Sequence, residues 1–202
     1  MTTAEIDEFL REIEKSARDR HIPILLGESA EILIGYAREL KPKRILEIGT
    51  AIGYSGILLL LNSDGKAVLD TVERNAERIE EARINFEKAG LLERTNIYAG
   101  DSRDILPTLR DNRYDLIFMD GGKSRYKEDI FLLESMLSED GVIFADNVLF
   151  KGKVMAEGIP KRKHRSIVNN LREYLSILSR QDGYETALID KGDGITVTRK
   201  KK

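Results

Sequence analysis

Apolar positions along this chain fall into two alternating patterns. Short runs rich in β-branched residues recur at Arg44–Gly49, Ala67–Val72, Thr95–Tyr98, Tyr114–Met119 and Gly141–Ala145. Between them, apolar residues return every three or four positions, as from Ala76 to Ala89 and from Tyr126 to Leu137. The first pattern predicts buried strands and the second amphipathic helices. Strands alternating with helices of this length predict right-handed βαβ units and a parallel sheet covered on both faces.

The ends of the chain depart from this rhythm. Residues 3–19 and 28–40 predict two amphipathic helices before the first strand, separated by Ile22-Pro23. A helical stretch from about 162 to 180 precedes two alternating runs, Tyr184–Ile189 and Ile195–Thr198. The short glycine-containing link Asp190-Lys-Gly-Asp-Gly194 predicts a hairpin, so the last two strands should be antiparallel. The expected fold is α/β: a doubly wound, Rossmann-like, seven-stranded and mostly parallel sheet with a C-terminal antiparallel hairpin and added N-terminal helices. One domain is expected over 1–202, with helices in 1–40 and the core in 43–202.

Composition narrows the chemistry. The 202 residues carry 33 Lys+Arg, 35 Asp+Glu and no cysteine, so disulfides, thiolate zinc sites and cysteine nucleophiles are excluded. His21 and His164 are the only histidines, too few for a multi-histidine metal site. No apolar run approaches the roughly 18 residues of a membrane span, and the N-terminus is charged at helical spacing, unlike a signal peptide. A cytoplasmic protein with no membrane partner is expected. Two basic clusters, Lys161–Arg165 and Arg199–Lys202, stand against the near-zero net charge as solvated surface or as candidate phosphate contacts.

Candidate chemistry collects at the predicted strand ends. The first strand runs into Glu47-Ile-Gly49-Thr-Ala-Ile-Gly53-Tyr-Ser55, whose glycines allow a sharp turn and close approach of a ligand to main-chain atoms. It is neither the dinucleotide G-x-G-x-x-G pattern nor a phosphate loop. Glu73, ending the second strand before Arg74, is placed to accept hydrogen bonds from both hydroxyls of a ribose. Asp101-Ser102 follows the third strand, where it could contact an adenine edge. Asp120 ends the fourth strand and Asp146-Asn147 the fifth. Two carboxylates and an amide oxygen suit Mg²⁺ or a similar hard cation better than zinc, although aspartates also end strands as helix caps. Lys123 is a candidate general base, because a nearby cation favours its neutral amine.

The segments Glu47–Ser55, Asp120-Gly-Gly-Lys123-Ser-Arg-Tyr126 and Ala145-Asp146-Asn147-Val-Leu-Phe-Lys-Gly152 resemble the motifs of the metal-dependent S-adenosylmethionine O-methyltransferases, which include catechol O-methyltransferase and the caffeoyl-coenzyme A enzymes. Ile22-Pro23-Ile24 and Gly192-Asp193-Gly194 before a lysine-rich terminus resemble a bacterial branch that methylates 5-hydroxyuridine at the wobble position of tRNA. The resemblance implies cofactor contacts from Leu25, Glu47, Gly49, Thr50, Ala51, Gly53, Tyr54, Ser55, Glu73, Arg74, Asp101, Ser102 and Asp120. It also implies a divalent cation, Mg²⁺ or Mn²⁺, on Asp120, Asp146 and Asn147, with catalysis by Lys123 and Asp120, and a homodimer. Leu25 stands where the bacterial branch has methionine. Gly121 and Gly122 replace bulkier residues of relatives, which implies a looser loop holding Lys123 less firmly. A small catechol and 5-hydroxyuridine both offer vicinal oxygens to such a site, and the core motifs do not choose between them.

Overall fold

The computed structural model describes residues 2–202. Helices α1 (Thr3–Asp19) and α2 (Glu28–Leu40) precede the alternating core. That core runs β1 (Arg44–Ile48), α3 (Tyr54–Asn62), β2 (Val68–Glu73), α4 (Ala76–Lys88), β3 (Thr95–Ala99), α5 (Ser102–Ile105), β4 (Tyr114–Met119), α6 (Tyr126–Ser135) and β5 (Leu137–Ala145). Helix α7 (Arg165–Leu178) and the hairpin β6 (Tyr184–Ile189) and β7 (Ile195–Lys200) complete it. The seven strands lie in the order β3-β2-β1-β4-β5-β7-β6. The first five are parallel, and β7 runs antiparallel between β5 and β6.

Alternation along each strand divides the core into two layers. Ile45, Leu116, Phe118 and Phe144 pack on one face with residues of α1 through α4. Their neighbours Leu46, Ile117, Met119 and Ile143 pack on the other with Ile130 and Leu133 of α6 and Leu171 and Tyr174 of α7. The central strands β1, β2, β4 and β5 are thus covered on both faces, which explains their nearly continuous apolar runs. Among the described residues no helix is long and apolar enough to cross a membrane.

One boundary differs from the sequence reading. Strand β5 begins at Leu137, where helix 126–137 was expected to end, and not at Gly141. Leu137 is fully buried and pairs with Tyr114, and the register then shifts before Leu116 meets Val142. The polar Ser138-Glu-Asp-Gly141 absorbs that irregularity. A Cβ at Gly141 would stand 2.8 Å from the Tyr114 carbonyl oxygen, so a bulged strand there reads locally as a turn.

Chain order reverses between β1, whose next partner in sequence is β2, and β4 on its other side. Open α/β sheets bind ligands outside the carboxyl ends of their strands at such a point. Asp120 and the Gly49 loop both leave the sheet there.

Candidate active site

Two adjoining depressions open at the carboxyl ends of the strands, with volumes of about 370 and 320 Å³. Gly49, Glu73, Arg78 and Gly121 line both, so they form one cleft. Leu25, Ala51, Asp120, Lys123, Asp146 and Asn147 face its first part. Arg74, Asp101 and Ser102 face its second.

The remaining residues of the glycine segment lie beneath the cleft. Glu47 is fully buried and accepts hydrogen bonds from Ser55 Oγ, from Thr71 Oγ1 at 2.6 Å and from Thr50 Oγ1 at 3.4 Å. Burial pushes its carboxyl up to about 7; the Ser55 and Thr71 hydroxyls oppose this and the charge of Asp120 adds to it. Tyr54 is buried with its hydroxyl on Glu14, and Gly53, at φ +87°, caps α3. Glu47, Thr50, Gly53, Tyr54 and Ser55 therefore shape the loop from below, while Gly49 and Ala51 present it to the cleft.

Glu73 is already engaged by main chain. Its Oε2 accepts from the Ala51 N–H at 3.0 Å, and its Oε1 accepts from the N–H groups of Arg74 and Asn75 at 2.8 and 2.9 Å. These contacts fix the carboxylate at the end of β2, and a carboxylate has further lone pairs for ligand hydroxyls. Asp101 caps α5 through the Arg103 N–H at 3.0 Å and stands 3.9 Å from the Arg74 guanidinium.

The loop after β4 is held closely, against the expectation that Gly121 and Gly122 would loosen it. The Gly121 and Asp120 N–H groups both donate to the Ile48 carbonyl, at 2.7 and 3.1 Å. A Cβ on Gly49 would stand 2.6 Å from the Gly121 nitrogen, and one on Gly121 2.9 Å from the Gly49 Cα, so glycine at both positions permits two loop backbones to touch. Lys123 donates from Nζ to the Asp120 carbonyl at 2.7 Å and to Asp120 Oδ1 at 2.9 Å. Tyr126, fully buried, donates its hydroxyl to the Met119 carbonyl at 2.8 Å and lies 3.3 Å from the Asp146 carbonyl, joining the ends of β4 and β5.

Asp146 is buried and Asn147 follows in the left-handed region at φ 56°. Asn147 Nδ2 donates to Asp146 Oδ2 at 3.1 Å. Burial raises the Asp146 carboxyl above its ordinary range, and the charge of Asp120 adds to it; the Asn147 backbone N–H and the Ser29 hydroxyl oppose this. Two mutually repelling carboxylates with an amide beside them fit a hard divalent cation. No three Asp, Glu or His side chains gather to hold a metal among the described residues, so a three-ligand site here requires the Asn147 amide oxygen.

Several cleft residues escaped the sequence reading. Ser29, at the start of α2, donates to Asp146 Oδ1 at 3.1 Å. Arg78 lies one turn into α4, and Asp193 comes from the β6–β7 hairpin. Ser29 offered no local signal, whereas the position of Arg78 just beyond Glu73 and Asn75 could have been flagged.

The two basic clusters part company. The terminal one lies at the amino end of the parallel strands, because Arg199 pairs with Val142 while Thr196 pairs with Ala145. Three of its four charges are engaged there: Arg199 by Glu185, Lys202 by Asp140 and Lys200 by the Leu137 carbonyl. Lys161–Arg165 instead lies at the end of the segment that leaves β5 past Asn147.

Comparison with known proteins agrees with this architecture. The family described as O-methyltransferase matches residues 3–201. A catechol O-methyltransferase of Mycobacterium tuberculosis is 32% identical over 131 residues, 65% of this chain and 60% of that protein. The catechol O-methyltransferase of Sus scrofa is 30% identical over 183 residues, 88% of this chain and 96% of that one. The crystal structure of the O-methyltransferase TomG from Streptomyces achromogenes, in complex with SAM, superposes with a TM-score of 0.86 at 26% identity, covering 96% of this chain and 90% of its own. With its motifs gathered in one cleft and its sequence matched almost end to end, this chain belongs to the O-methyltransferase family and is an enzyme of that class.

Proposed function

We propose that this enzyme methylates one oxygen of a vicinal oxygen pair with S-adenosylmethionine as donor, assisted by a divalent cation. The observation that carries this reading is the convergence of Asp120, Lys123, Asp146 and Asn147 in one cavity with Gly49, Ala51 and Glu73. The exposed main chain of Gly49 and Ala51 would hold the methionine part of the donor, Glu73 with Arg74 its ribose, and Asp101 and Ser102 its adenine. Asp120, Asp146 and Asn147 would hold Mg²⁺ or Mn²⁺. Such a cation, when bound, lowers the pKa of a coordinated hydroxyl and fixes its direction.

The protein residues divide the remaining work. Lys123 lines the same part of the cleft as Asp120, Asp146 and Asn147 and would take the hydroxyl proton. Leu25, buried against the cleft, excludes water from one wall. The shared cleft would hold acceptor oxygen and methyl group in line, as the displacement requires.

The acceptor we favour is 5-hydroxyuridine in tRNA, whose 5-hydroxyl and 4-carbonyl form the vicinal pair. The basic Lys161–Arg165 segment, whose lysines are free of ion pairs among the described residues, supports it as a candidate phosphate contact. A small catechol-like acceptor is the second reading, supported by the names of the mycobacterial and mammalian relatives. Labelled S-adenosylmethionine, Mg²⁺ with and without chelator, and the two acceptors side by side test both. Chelator-sensitive labelling of the RNA with poor catechol turnover is expected. Efficient catechol labelling with silent RNA would overturn the tRNA reading, and no labelling of either would overturn the vicinal-oxygen chemistry.

A further inference from the structure

A cavity of about 430 Å³ lies outside the cleft, between residues 153–163 and helix α7. Lys153, Lys161, Lys163, His164 and Arg172 line it, with Glu157 as the one acidic side chain. None of the three lysines is ion-paired among the described residues. In the terminal basic cluster, by contrast, Arg199 and Lys202 are paired with Glu185 and Asp140.

The wall of the cavity is prebuilt. Arg172 donates from Nε to the Val154 carbonyl at 2.9 Å, from Nη2 to the Ala156 carbonyl and from Nη1 to the Gly158 carbonyl at 3.5 Å. One guanidinium thereby holds three carbonyls of the loop, which lowers the ordering cost of any ligand. It also commits three of the five guanidinium N–H donors, Nε included, to main chain. The other cationic and donor groups of the lining are three ammonium groups and an imidazole, suited to a tetrahedral oxyanion. Phe150, whose N–H donates to the Asn147 carbonyl at 3.2 Å, packs against two of the cavity residues: its ring lies 5.4 Å from that of His164 and 4.7 Å from Lys153 Nζ.

We propose that this cavity is a phosphate-binding subsite, where Lys153, Lys161, Lys163 and His164 hold a phosphate group of the acceptor while its reacting hydroxyl occupies the cleft. The proposal rests on the cleft being the acceptor site, as argued above. Desolvation, and then the charges of Lys153, Lys163 and Lys161, hold the His164 imidazolium below the usual histidine range. A bound phosphate reverses that field, so His164 reports occupancy.

The test follows the imidazole protons of His21 and His164 by NMR in the full-length chain, without methyl donor, with His164→Gln to assign them. Inorganic phosphate is added against chloride at equal ionic strength. The His164 pKa is expected to rise saturably by roughly half a unit or more while His21 does not respond. A K161E/K163E double variant, checked for unchanged melting temperature, is expected to lose the response. If His164 follows the chloride control, or if the double variant responds fully, the subsite does not exist.

Two further arms identify the source of the phosphate. Half-saturation by a short RNA stem-loop at least about tenfold below that by AMP supports a phosphodiester of RNA. Equal or tighter response to AMP supports a phosphomonoester on a small acceptor. No methyl transfer enters the measurement, so a negative result removes the subsite and leaves the methylation reading standing. A positive result with no labelling of either acceptor keeps the subsite and removes the methylation reading.

Discussion

Ser29 donates its hydroxyl to Asp146 Oδ1 at 3.1 Å, across 117 positions of sequence. Both side chains are buried. The contact belongs to a three-way junction at the mouth of the cleft. Glu28 accepts from Lys191 Nζ at 3.0 Å and from the Gly192 N–H at 3.4 Å, and a Cβ on Gly192 would stand 2.5 Å from Ser29 Oγ. The hairpin in turn accepts the Val148 and Leu149 N–H groups at 2.9 Å each. The start of α2, the segment after β5 and the β6–β7 hairpin therefore hold Asp146 together.

Replacing Ser29 with alanine removes an outer partner of a proposed metal-binding carboxylate. Losses of this kind typically weaken metal affinity about tenfold or more. Titration of Mn²⁺ into the purified variant, read calorimetrically, should show that loss with the fold intact. An unchanged Kd would mean that Ser29 does not orient Asp146 for a cation.

Gly121→Ala is expected to destabilise by about 1–3 kcal/mol, because its Cβ would stand 2.9 Å from the Gly49 Cα. Binding of S-adenosylmethionine should weaken with it, since the same displacement moves Gly49. Gly65→Ala, with nothing within 4 Å of the new Cβ, is the control. Equal melting temperatures for the two variants would show that the loops do not need to touch.

Glu47 should make stability depend on pH. Its native pKa of about 7 lies above its ordinary 4.5, so between these values the folded state holds a proton that the unfolded state has released. Its stabilising contribution is complete below pH 4.5 and is lost as pH rises through 7. Glu47→Gln should gain on the wild type between pH 4.5 and pH 8, by about 3 kcal/mol at most. Denaturant melts at the two pH values measure this, and a constant difference would show that Glu47 does not titrate in that window.

Lys123→Met is expected to lower kcat by roughly a hundredfold, in the range of general-base catalysis, with S-adenosylmethionine affinity unchanged. Asp146→Ala should abolish chelator-sensitive turnover while leaving donor binding in place. Full activity of either variant would remove that residue from the proposed machinery.

Charge reversal at Lys161, Arg162 and Arg165 should weaken RNA methylation and reduce its salt dependence while sparing a small catechol. Reversal at Lys201 and Lys202 should change neither activity, because the terminal cluster lies at the far end of the sheet. Methylation rates for both acceptors across a salt series decide this. Equal loss from the two sets of reversals would contradict the assignment of the two ends.

Periodicity determined the order of helices and strands, because burial on both faces imposes nearly continuous apolar runs on the strands and three-to-four spacing on the helices. It also determined the hairpin, whose short glycine-containing turn allows no other connection. The residues at the strand ends were legible for a related reason: in a parallel sheet every carboxyl end opens on one side, so Gly49, Glu73, Asp101, Asp120 and Asp146 had to share it.

Tertiary structure alone decided which of these face the cleft and which lie beneath it. Glu47 and Ser55 belong to the same motif as Gly49, yet the pleat and the first turn of α3 turn them into the core. Strand β5 starts four residues early because Leu137 finds Tyr114 across the sheet, a partner distant in sequence. Ser29 meets Asp146 where the hairpin docks on the start of α2. The two lysine-rich segments are alike in composition, and the antiparallel direction of β7 sends one to the amino end of the parallel strands while the other lines a cavity outside the cleft. Local pattern fixes what a segment becomes, and long-range packing fixes what its side chains meet.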